Sequence, residues 1–587
     1  MKAFTEPLLS LAGFEEMTKT AEKSSGLISV TGCIDAQKSQ MIYAFGGHRK
    51  NKLIVTFGEQ KAKELYDEYS FFDKEVVYYP SKDVLFYQSD IRGNLLTAER
   101  IRALKAIREQ ERVTLVTTFD ALMNTMAPIE KMWENVLTLE LGQLLDLKEI
   151  QAALIRMGYE KEYQVQTMGQ FSVRGGILDV FPLTEENPIR IELWGDEIDT
   201  IRYFDCESQK SIENIDRVSI YPAAELVLSD EEKAGGIDKL KAEAKRVSDK
   251  LRKQMKTEEA HRVTVMADEL TEEWGELSMY AGMDAFLSYF FDERVGILDY
   301  FNPSDSIIFF DELTRCVEQG KLTETEFSES MKQRLAMGYI LPGQMNGLFT
   351  EKEIVAKLGK YSCIALGALD NKANGLHQLG SYGIHCQSVS PYNNSFELLI
   401  KDLKRYKKNG YRVILLSGSR TRAKRLSEDI TDQGITCFYT ENYDHELFEG
   451  QIMVCYGKVR RGFEYPILKF AVITESDIFG AQQKKKKRHR TYEGEKIQSF
   501  TDLSVGDYVV HENHGLGIYR GIEKLEVDKK VKDYIKIEYQ GGSNLYILAT
   551  QLDMIQKYAG KDARKPRLNK LGGQEWTRTK NRVRGAV

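Results

Sequence analysis

Long apolar runs, paired cysteines and metal-binding motifs are all missing from this chain of 587 residues. No stretch approaches the roughly 18 uninterrupted apolar residues that a membrane span requires, and the N-terminal segment lacks the cleavage site of a secretion signal. The seven cysteines form no C-x-x-C pair, and the eight histidines form no HExxH motif. We therefore expect a cytoplasmic protein without disulfides and without a bound metal.

Charge is distributed unevenly along the chain. From Lys484 to the end there are 23 Lys and Arg against 13 Asp and Glu, a net charge of +10; because the whole chain carries −6, the preceding part carries −16. A basic C-terminal part on an acidic body favours a nucleic-acid contact toward the C-terminal end and protein contacts for the body. The length predicts about three to five domains.

Short apolar runs alternate with helical patterns over the first 125 residues, which predicts a multidomain α/β protein whose first sheet is parallel and covered by helices. LISVTG, KLIVTFG, VVYYP and VTLVTTF are the predicted strands. GQFSVRGGILDVFP and RIELWGDEIDTIRYFD are rich in β-formers and broken by glycines, which indicates an inserted α+β module. We expect an α/β domain at residues 1–126 and 226–350, interrupted by the module at residues 127–225.

Four further segments follow. CIALGAL, RVILLSGS, ITCFYT, QIMVCYG and FAVITESDIFG predict a second α/β domain at residues 351–481, for which the sequence indicates no role. Residues 482–497 have no apolar periodicity and form a basic linker, more typical of a solvated tether than of a DNA contact. Short strands with tight turns at residues 498–560 indicate a small β-barrel, and residues 561–587 have the pattern of the start of a basic helix.

One motif falls a single residue short of a phosphate-binding loop. A predicted strand leads into Gly32, and the pattern G-x-x-x-x-G-K-[ST] is then met except at Gln37, where a glycine would let the backbone approach a β-phosphate. Two acids that end the strand IIFFDE resemble those that hold magnesium-bound water. We expect a degenerate nucleotide site with no ATP or magnesium bound. Its residues are Gly32, Gln37, Lys38, Ser39, Asp311 and Glu312.

These motifs together resemble a known family. The broken phosphate loop, GQFSVRGGILDVFP and IIFFDE resemble the UvrB-homology module of bacterial transcription-repair coupling factors. FTDLSVGDYVVHENHGLGIYRGIEKLEV and KDYIKIEYQGGSNLYILATQLDMIQKYAG resemble the RNA-polymerase-interacting domain of that family, a CarD/Tudor-like β-barrel, and LNKLGGQEW resembles the start of the helix that leads to its translocase. UvrB itself is the rival family, but YYPSKDVLFYQSDIRGN is too short for its tyrosine-rich hairpin, and UvrB needs an intact phosphate loop.

The resemblance implies a UvrA-binding surface on the inserted module. Arg174 matches the basic position by which the family contacts UvrA, and Lys161 aligns with a second basic contact. Ser172 stands where UvrB has another arginine, which makes the basic patch thinner here. The alternative role for Arg174 is an internal ion pair with Asp179 or Asp196.

The resemblance also implies a polymerase-binding strand. The family adds an edge strand to the β subunit of RNA polymerase, and the matching stretch is residues 522–527. It includes Ile522, Leu525 and Val527, with Leu525 as the expected anchor; the alternative is that Leu525 is a core residue. At Leu548 the family commonly has proline, which can alter the end of that strand.

By this resemblance the chain is an adaptor of transcription-coupled DNA repair, which docks on RNA polymerase stalled at a lesion and recruits UvrA. ATP-dependent translocation on double-stranded DNA is expected of a part of the protein beyond Val587, so we expect no catalysis and no cofactor in this chain. The alternative is a divergent UvrB-like repair subunit that hydrolyses a nucleotide. It would act through Lys38, Ser39, Asp311 and Glu312.

Overall fold

The computed structural model describes residues 1–46, 49–82, 94–206, 208–276 and 283–480, and then residues 494–496, 503–511, 515–527, 530–540, 542–548, 555–558 and 568. For residues 94, 273, 275, 276, 284, 494–496, 524–527, 530–533 and 548 it describes the backbone alone. Within these ranges no helix has both the length and the apolar character that a membrane crossing requires.

Alternating helices and strands form the part of the chain before the inserted module, as the apolar pattern predicts. The elements are α1 (Lys2–Leu9), α2 (Phe14–Lys23), β1 (Gly26–Thr31), α3 (Asp35–Phe45), β2 (Asn51–Thr56), α4 (Glu59–Tyr69), β3 (Val76–Tyr79), α5 (Asn94–Glu109), β4 (Val113–Thr118), α6 (Phe119–Met123) and α7 (Ile129–Glu134). The four strands coincide with the four that were predicted.

The inserted module is built around a mainly antiparallel sheet. Its elements are β5 (Leu137–Glu140), α8 (Leu147–Arg156), β6 (Glu160–Lys161), β7 (Gln170–Arg174), β8 (Ile177–Val180), β9 (Ile189–Trp194), β10 (Glu197–Phe204), β11 (Ser211–Ile215) and β12 (Arg217–Ile220). Six strands have the order β11-β10-β9-β8-β7-β6, and β12 pairs with β5. Phe171 and Leu178 belong to the apolar core together with Leu154 of α8. The alternate residues of these strands lie on the opposite face.

The chain then returns to the first α/β unit. The returning elements are α9 (Asp230–Lys253), α10 (Thr257–Glu276), α11 (Leu287–Phe290), β13 (Ser306–Asp311), α12 (Leu313–Ala336), α13 (Glu351–Leu358), β14 (Ser362–Leu366) and β15 (Gln378–Gly383), with short 3-10 helices at Met283–Phe286, Ile297–Tyr300 and Pro342–Asn346. The sheet is parallel throughout, in the order β15-β1-β14-β13-β2-β4-β3. Strands from after the module thus lie between β1 and β2.

The boundary between the two α/β units differs from the predicted one at residue 350. The predicted strand CIALGAL is β14, which pairs with β1 and β13 of the first sheet rather than with the second unit. The first sheet therefore extends at least to β15. The sequence of a short buried strand does not indicate which sheet the strand joins, because the pairing is determined by the neighbouring strands in the folded protein.

The second α/β unit follows. It consists of β16 (Gln387–Ser388), α14 (Phe396–Lys408), β17 (Arg412–Ser417), α15 (Arg420–Asp432), β18 (Phe438–Tyr439), β19 (Ile452–Tyr456), β20 (Phe463–Tyr465), β21 (Phe470–Thr474) and α16 (Glu475–Phe479). The strand order is β16-β20-β21-β17-β19-β18. One apolar cluster contains Phe4 and Phe72 of the first unit together with Leu447 and Tyr465 of the second, so the two units share a core.

The C-terminal unit is a six-stranded antiparallel sheet with the order β22-β27-β23-β24-β25-β26. Its strands are β22 (Gly494–Lys496), β23 (Tyr508–His511), β24 (Gly515–Val527), β25 (Lys530–Glu538), β26 (Asn544–Leu548) and β27 (Ile555–Tyr558). Val509, Tyr519, Ile535 and Ile537 are part of its small apolar core. Leu548 is the last residue of β26.

The turn between α9 and α10 has an unexpected residue at its left-handed position. Met255 has φ +60°; its N–H donates to the Arg252 carbonyl and the Lys256 N–H donates to the Leu251 carbonyl, both at 3.0 Å. These two bonds define the Schellman motif. Glycine normally occupies this position, because a side chain there costs about 1–2 kcal/mol. α14 ends in the same motif, with Gly410 at φ +74°.

Candidate functional sites

The predicted phosphate loop lies at the carboxyl end of β1. α3 begins at Asp35, so Gln37, Lys38 and Ser39 lie in the first two turns of that helix, and strand, loop and helix follow one another as the motif predicts. Gly32 has φ +78°, and a Cβ at this position would lie 2.1 Å from the Ile384 carbonyl oxygen. Only glycine fits there.

The Lys38 ammonium group is enclosed by carboxylates. Its Nζ lies 2.5 Å from Asp311 Oδ1, 3.0 Å from Glu312 Oε1 and 3.1 Å from Asp35 Oδ1. The Lys38 and Asp311 side chains are each 1% exposed, and Thr56 Oγ1 donates to Asp311 Oδ2 at 2.9 Å. Burial alone would lower the pKa of Lys38, but the carboxylates of Asp311, Asp35 and Glu312 together outweigh burial and raise it. Lys38 therefore remains charged and bound within the protein.

The backbone of the loop is also engaged. The Gly32 N–H donates to the Ala368 carbonyl at 3.2 Å, and the Cys33 N–H donates to the Gly367 carbonyl at 3.0 Å. The Ala368 N–H in turn donates to Glu312 Oε1 at 3.3 Å. A phosphate bound by such a loop needs free backbone donors. The N–H groups of Gly32 and Cys33 are bonded to the segment after β14 instead.

The polar side chains of Gln37 and Ser39 are buried. Gln37 is 0% exposed, and its amide makes only a weak contact with the Cys33 sulfur. The Ser39 hydroxyl makes no hydrogen bond. An unsatisfied buried polar group costs about 1–3 kcal/mol. What does not fit the phosphates of a nucleotide is the Gln37 side chain at the glycine position of the motif, beside a Lys38 that carboxylates already neutralise.

The Lys38 cluster makes a prediction about stability. Lys38→Met should lower the free energy of unfolding by about 3–5 kcal/mol, because it leaves two carboxylates next to each other without their buried cation. Urea denaturation measures the change. The double variant Lys38→Met/Asp311→Asn should recover part of the loss, because it also removes a buried charge. A single variant as stable as the unmodified chain would contradict the account of the cluster.

Arg174 lies at the end of β7, on the face of the module's sheet that is turned away from α8. Its Nη2 donates to Asp179 Oδ2 at 2.8 Å, so the internal pair with Asp179 is present. Asp179 is buried and also accepts two bonds from Arg190, at 2.7 and 2.8 Å. Because one carboxylate binds two guanidinium groups, the cluster of Arg174, Arg190 and Asp179 has a net positive charge. The Arg174 side chain is still 36% exposed and open to a partner.

Two exposed aromatic side chains accompany Arg174. Trp194, at the end of β9, and Tyr163, before β7, are each 84% exposed. Trp194 shares a face with Arg190, because alternate residues of a strand face the same side. Ser172 Oγ donates to the Tyr163 carbonyl at 2.7 Å, which holds Tyr163 beside β7. We use the term outer face for this surface of the module.

Trp194 and Tyr163 are not among the site residues predicted from the sequence. For Trp194 a signal exists, since Arg190, Glu192 and Trp194 alternate along RIELW and so fall on one side of the strand. An exposed tryptophan next to arginines is typical of the residues that dominate binding energy at protein interfaces. For Tyr163 no such pattern exists, because it lies in a segment between two strands.

Lys161 lies on the other face of the module's sheet. It stands opposite Phe171 in the register of β6 and β7, and its Nζ donates to Gln151 Oε1 of α8 at 2.7 Å. Because Phe171 belongs to the core under α8, Lys161 does not share a face with Arg174. The two basic residues that were predicted to act together are separated by the sheet.

The predicted polymerase-binding stretch is the second half of β24. β23 pairs with β24 only as far as Ile518, and the Gly506 N–H donates to the Tyr519 carbonyl at 2.8 Å. A bulge follows at Gly521, with φ +103°. Beyond it, residues 522–527 pair with β25 alone among the strands that the structure describes. Their other edge offers backbone groups for strand addition.

The two faces of this stretch differ in character. Ile522 packs against the core of the C-terminal unit, whereas Glu523 accepts bonds from Lys536 at 2.6 Å and Tyr546 at 3.1 Å. Position 525 is three residues from Ile522 and therefore falls in the register of Glu523. The side chains of Leu525 and Val527 lie outside the described residues.

Comparison with known proteins gives matches to the inserted module and to the C-terminal unit. A model of the UvrB interaction domain matches residues 137–226, which include Arg174 and Trp194. A model of the CarD-like/TRCF RID domain matches residues 503–559, which include β24.

Curated relatives match nearly the whole chain. The transcription-repair-coupling factor of Bacillus subtilis (strain 168) is 31% identical over 537 residues, which are 91% of this chain and 45% of that protein. Those of Staphylococcus haemolyticus (strain JCSC1435) and Staphylococcus aureus (strain MRSA252) are each 30% identical, over 95% and 98% of this chain and 47% and 48% of their own length. The chain thus spans about half the length of the curated relatives it matches, and the resemblance drawn from its motifs is confirmed. The chain is homologous, over nearly its whole length, to about half of a transcription-repair-coupling factor.

Proposed function

We propose that this chain is the adaptor part of a transcription-coupled DNA repair protein, which docks on RNA polymerase stalled at a lesion and recruits UvrA. The observation that carries the proposal is the presence of a UvrB interaction domain and a CarD-like/TRCF RID domain in one chain. A protein of the full length of the matched relatives is proposed to translocate on double-stranded DNA with ATP and to displace the polymerase. Its place of action is the bacterial cytoplasm, where both partners work.

The alternative function, nucleotide hydrolysis by a UvrB-like subunit, is not supported by the site geometry. Lys38 is neutralised by Asp311 and Glu312, and the N–H groups of Gly32 and Cys33 donate to the protein's own carbonyls. Binding a phosphate here would require breaking this buried ion cluster first. We therefore propose that the first α/β unit is a scaffold and that this chain uses no cofactor.

The outer face of the inserted module is the proposed UvrA-binding surface. It combines the exposed part of Arg174, the net positive charge of its cluster with Asp179 and Arg190, and the exposed ring of Trp194. Charged groups of this kind steer association, and a large exposed aromatic ring supplies apolar area at the centre of an interface. Lys161, on the opposite face, is not included in the surface.

Arg174 provides the test of this surface. The chain should bind UvrA in a pull-down without ATP or polymerase, and Arg174→Ala should weaken the binding by about tenfold, because an interface arginine often contributes more than about 1 kcal/mol. Arg217→Ala is the matched control: Arg217 is 66% exposed and pairs with Glu140 in the separate β5–β12 sheet. Failure to retain UvrA, or equal retention by the two variants, would contradict the assignment.

The second half of β24, whose outer edge pairs with none of the described strands, is the proposed docking strand for the β subunit of RNA polymerase. Residues 522–527 would add to a sheet of the polymerase through main-chain hydrogen bonds, with Leu525 as the apolar anchor. The one-sided pairing of this stretch and the register of position 525 with Glu523 support the proposal. We propose that the six strands of this unit close into a small CarD/Tudor-like barrel.

Leu525→Arg should abolish binding to RNA polymerase and leave the unit folded, because position 525 does not share the register of the core residue Ile522. Surface plasmon resonance with immobilised polymerase measures the binding, and circular dichroism checks the fold. The matched control is Tyr558→Arg, at a 38% exposed position of β27, which is separated from β24 by β23. Unchanged binding by the Leu525 variant would show that the docking strand lies elsewhere.

A further inference from the structure

The tip of the α9–α10 hairpin carries an exposed basic surface that neither proposed docking surface uses. Residues 250–256 contain four cations and no acid, between the exposed acids Asp249 and Glu258, within a body that is net acidic. All four cations are exposed, and none is held in an ion pair within the described part of the chain. We define the hairpin-tip patch as Lys250, Arg252, Lys253, Met255 and Lys256.

Met255 is an apolar side chain that the fold does not require. It is 87% exposed and occupies the left-handed position of a Schellman motif, where glycine is the usual residue. It therefore contributes neither core packing nor a favourable backbone conformation.

The C-terminal end of α14 resembles the C-terminal end of α9 at the hairpin tip, except at the left-handed position. α14 ends in the same motif and also carries basic residues in its last turn, which helix ends favour because of the helix dipole. Its left-handed position, however, is Gly410. Helix stability alone can explain the cations in the last turns of both α9 and α14. It does not explain why α9, unlike α14, ends with a large exposed apolar side chain among its cations.

We propose that the hairpin-tip patch binds the backbone of double-stranded DNA, with Met255 packing against the sugars and base edges of a groove. Cations matched to phosphates and one flexible apolar side chain are the combination by which several proteins contact DNA grooves. The tip of a helical hairpin is convex, and a convex tip fits into a groove better than it fits against a flat surface. This contact goes beyond the proposed binding of polymerase and UvrA, and it is separate from the basic segment that begins at Lys484.

The test compares two charge-reversal variants of the complete chain. Lys250→Glu/Arg252→Glu/Lys253→Glu changes the patch, and Lys404→Glu/Lys407→Glu/Lys408→Glu makes the same charge change on the exposed side of α14. Fluorescence anisotropy with a labelled DNA duplex, at about 50 to 200 mM NaCl, measures affinity and its salt dependence. We expect the patch variant to bind at least about tenfold more weakly, with a salt slope reduced by about 2 to 3, and the α14 variant to lose less than about threefold.

Met255→Gly separates binding from folding. Because glycine suits the left-handed position, the variant should unfold at the same temperature as the unmodified chain or at a higher one. Its affinity for the duplex should nevertheless fall about threefold, since the apolar contact is lost. Undiminished DNA binding by Met255→Gly would contradict the role of Met255 in the proposal.

Other outcomes would overturn the DNA contact as a whole. Equal losses by the patch and α14 variants would show that only overall charge matters. Binding of polyglutamate or of phosphatidylglycerol vesicles that is lost in the patch variant, while DNA binding persists, would assign the patch to an acidic protein or to a membrane surface. UvrA and polymerase binding are measured on the same variants and should not change, so failure of this inference is distinguishable from failure of the proposed function.

Discussion

The buried ion cluster of Lys38 with Asp311 and Glu312 is the interaction on which the first α/β unit depends. It joins the helix after β1 to the carboxyl end of β13, two parts of the chain that the inserted module separates. A charge buried in this way must be paired, because the uncompensated form is far less stable than either the pair or an apolar replacement. The lysine that contacts phosphate in an active loop forms a buried ion pair here, so Lys38 stabilises the sheet and is not free to meet a phosphate.

A sheet fixed in this way provides a frame for the parts that bind. The module leaves the first unit after α7 and returns before α9, and Arg100 of α5 donates to Glu225 at that return, at 2.7 Å. Burial alone would raise the pKa of Glu225, but Arg100 and Lys82 outweigh it and lower the pKa to about 2, so the contact is ionised at neutral pH. The second α/β unit shares an apolar core with the first. An adaptor needs such a frame more than it needs catalytic groups, because its function lies in its surfaces.

The sequence predicts local structure and the broken loop well, because strands, the loop glycine and the helix after it all leave short-range patterns. It does not predict that β14 joins the first sheet, because strand pairing depends on residues far away in the chain. It places Arg174 and Lys161 together, but in the structure Lys161 faces α8. The strand that contains Lys161 has only two residues, and this is too short for an alternating pattern that would indicate its face. Met255 leaves no signal either, since its conformation is set by the turn and not by its type.

Calorimetric titration of the chain with ATP and magnesium shows whether the phosphate loop has become a structural contact. We expect no binding heat at micromolar to millimolar ATP, and no difference between the unmodified chain and a Ser39→Ala variant that keeps the Lys38 cluster intact. Micromolar affinity for ATP that is lost when Lys38 is replaced by alanine would contradict the account, and it would identify the chain as a nucleotide-binding repair subunit.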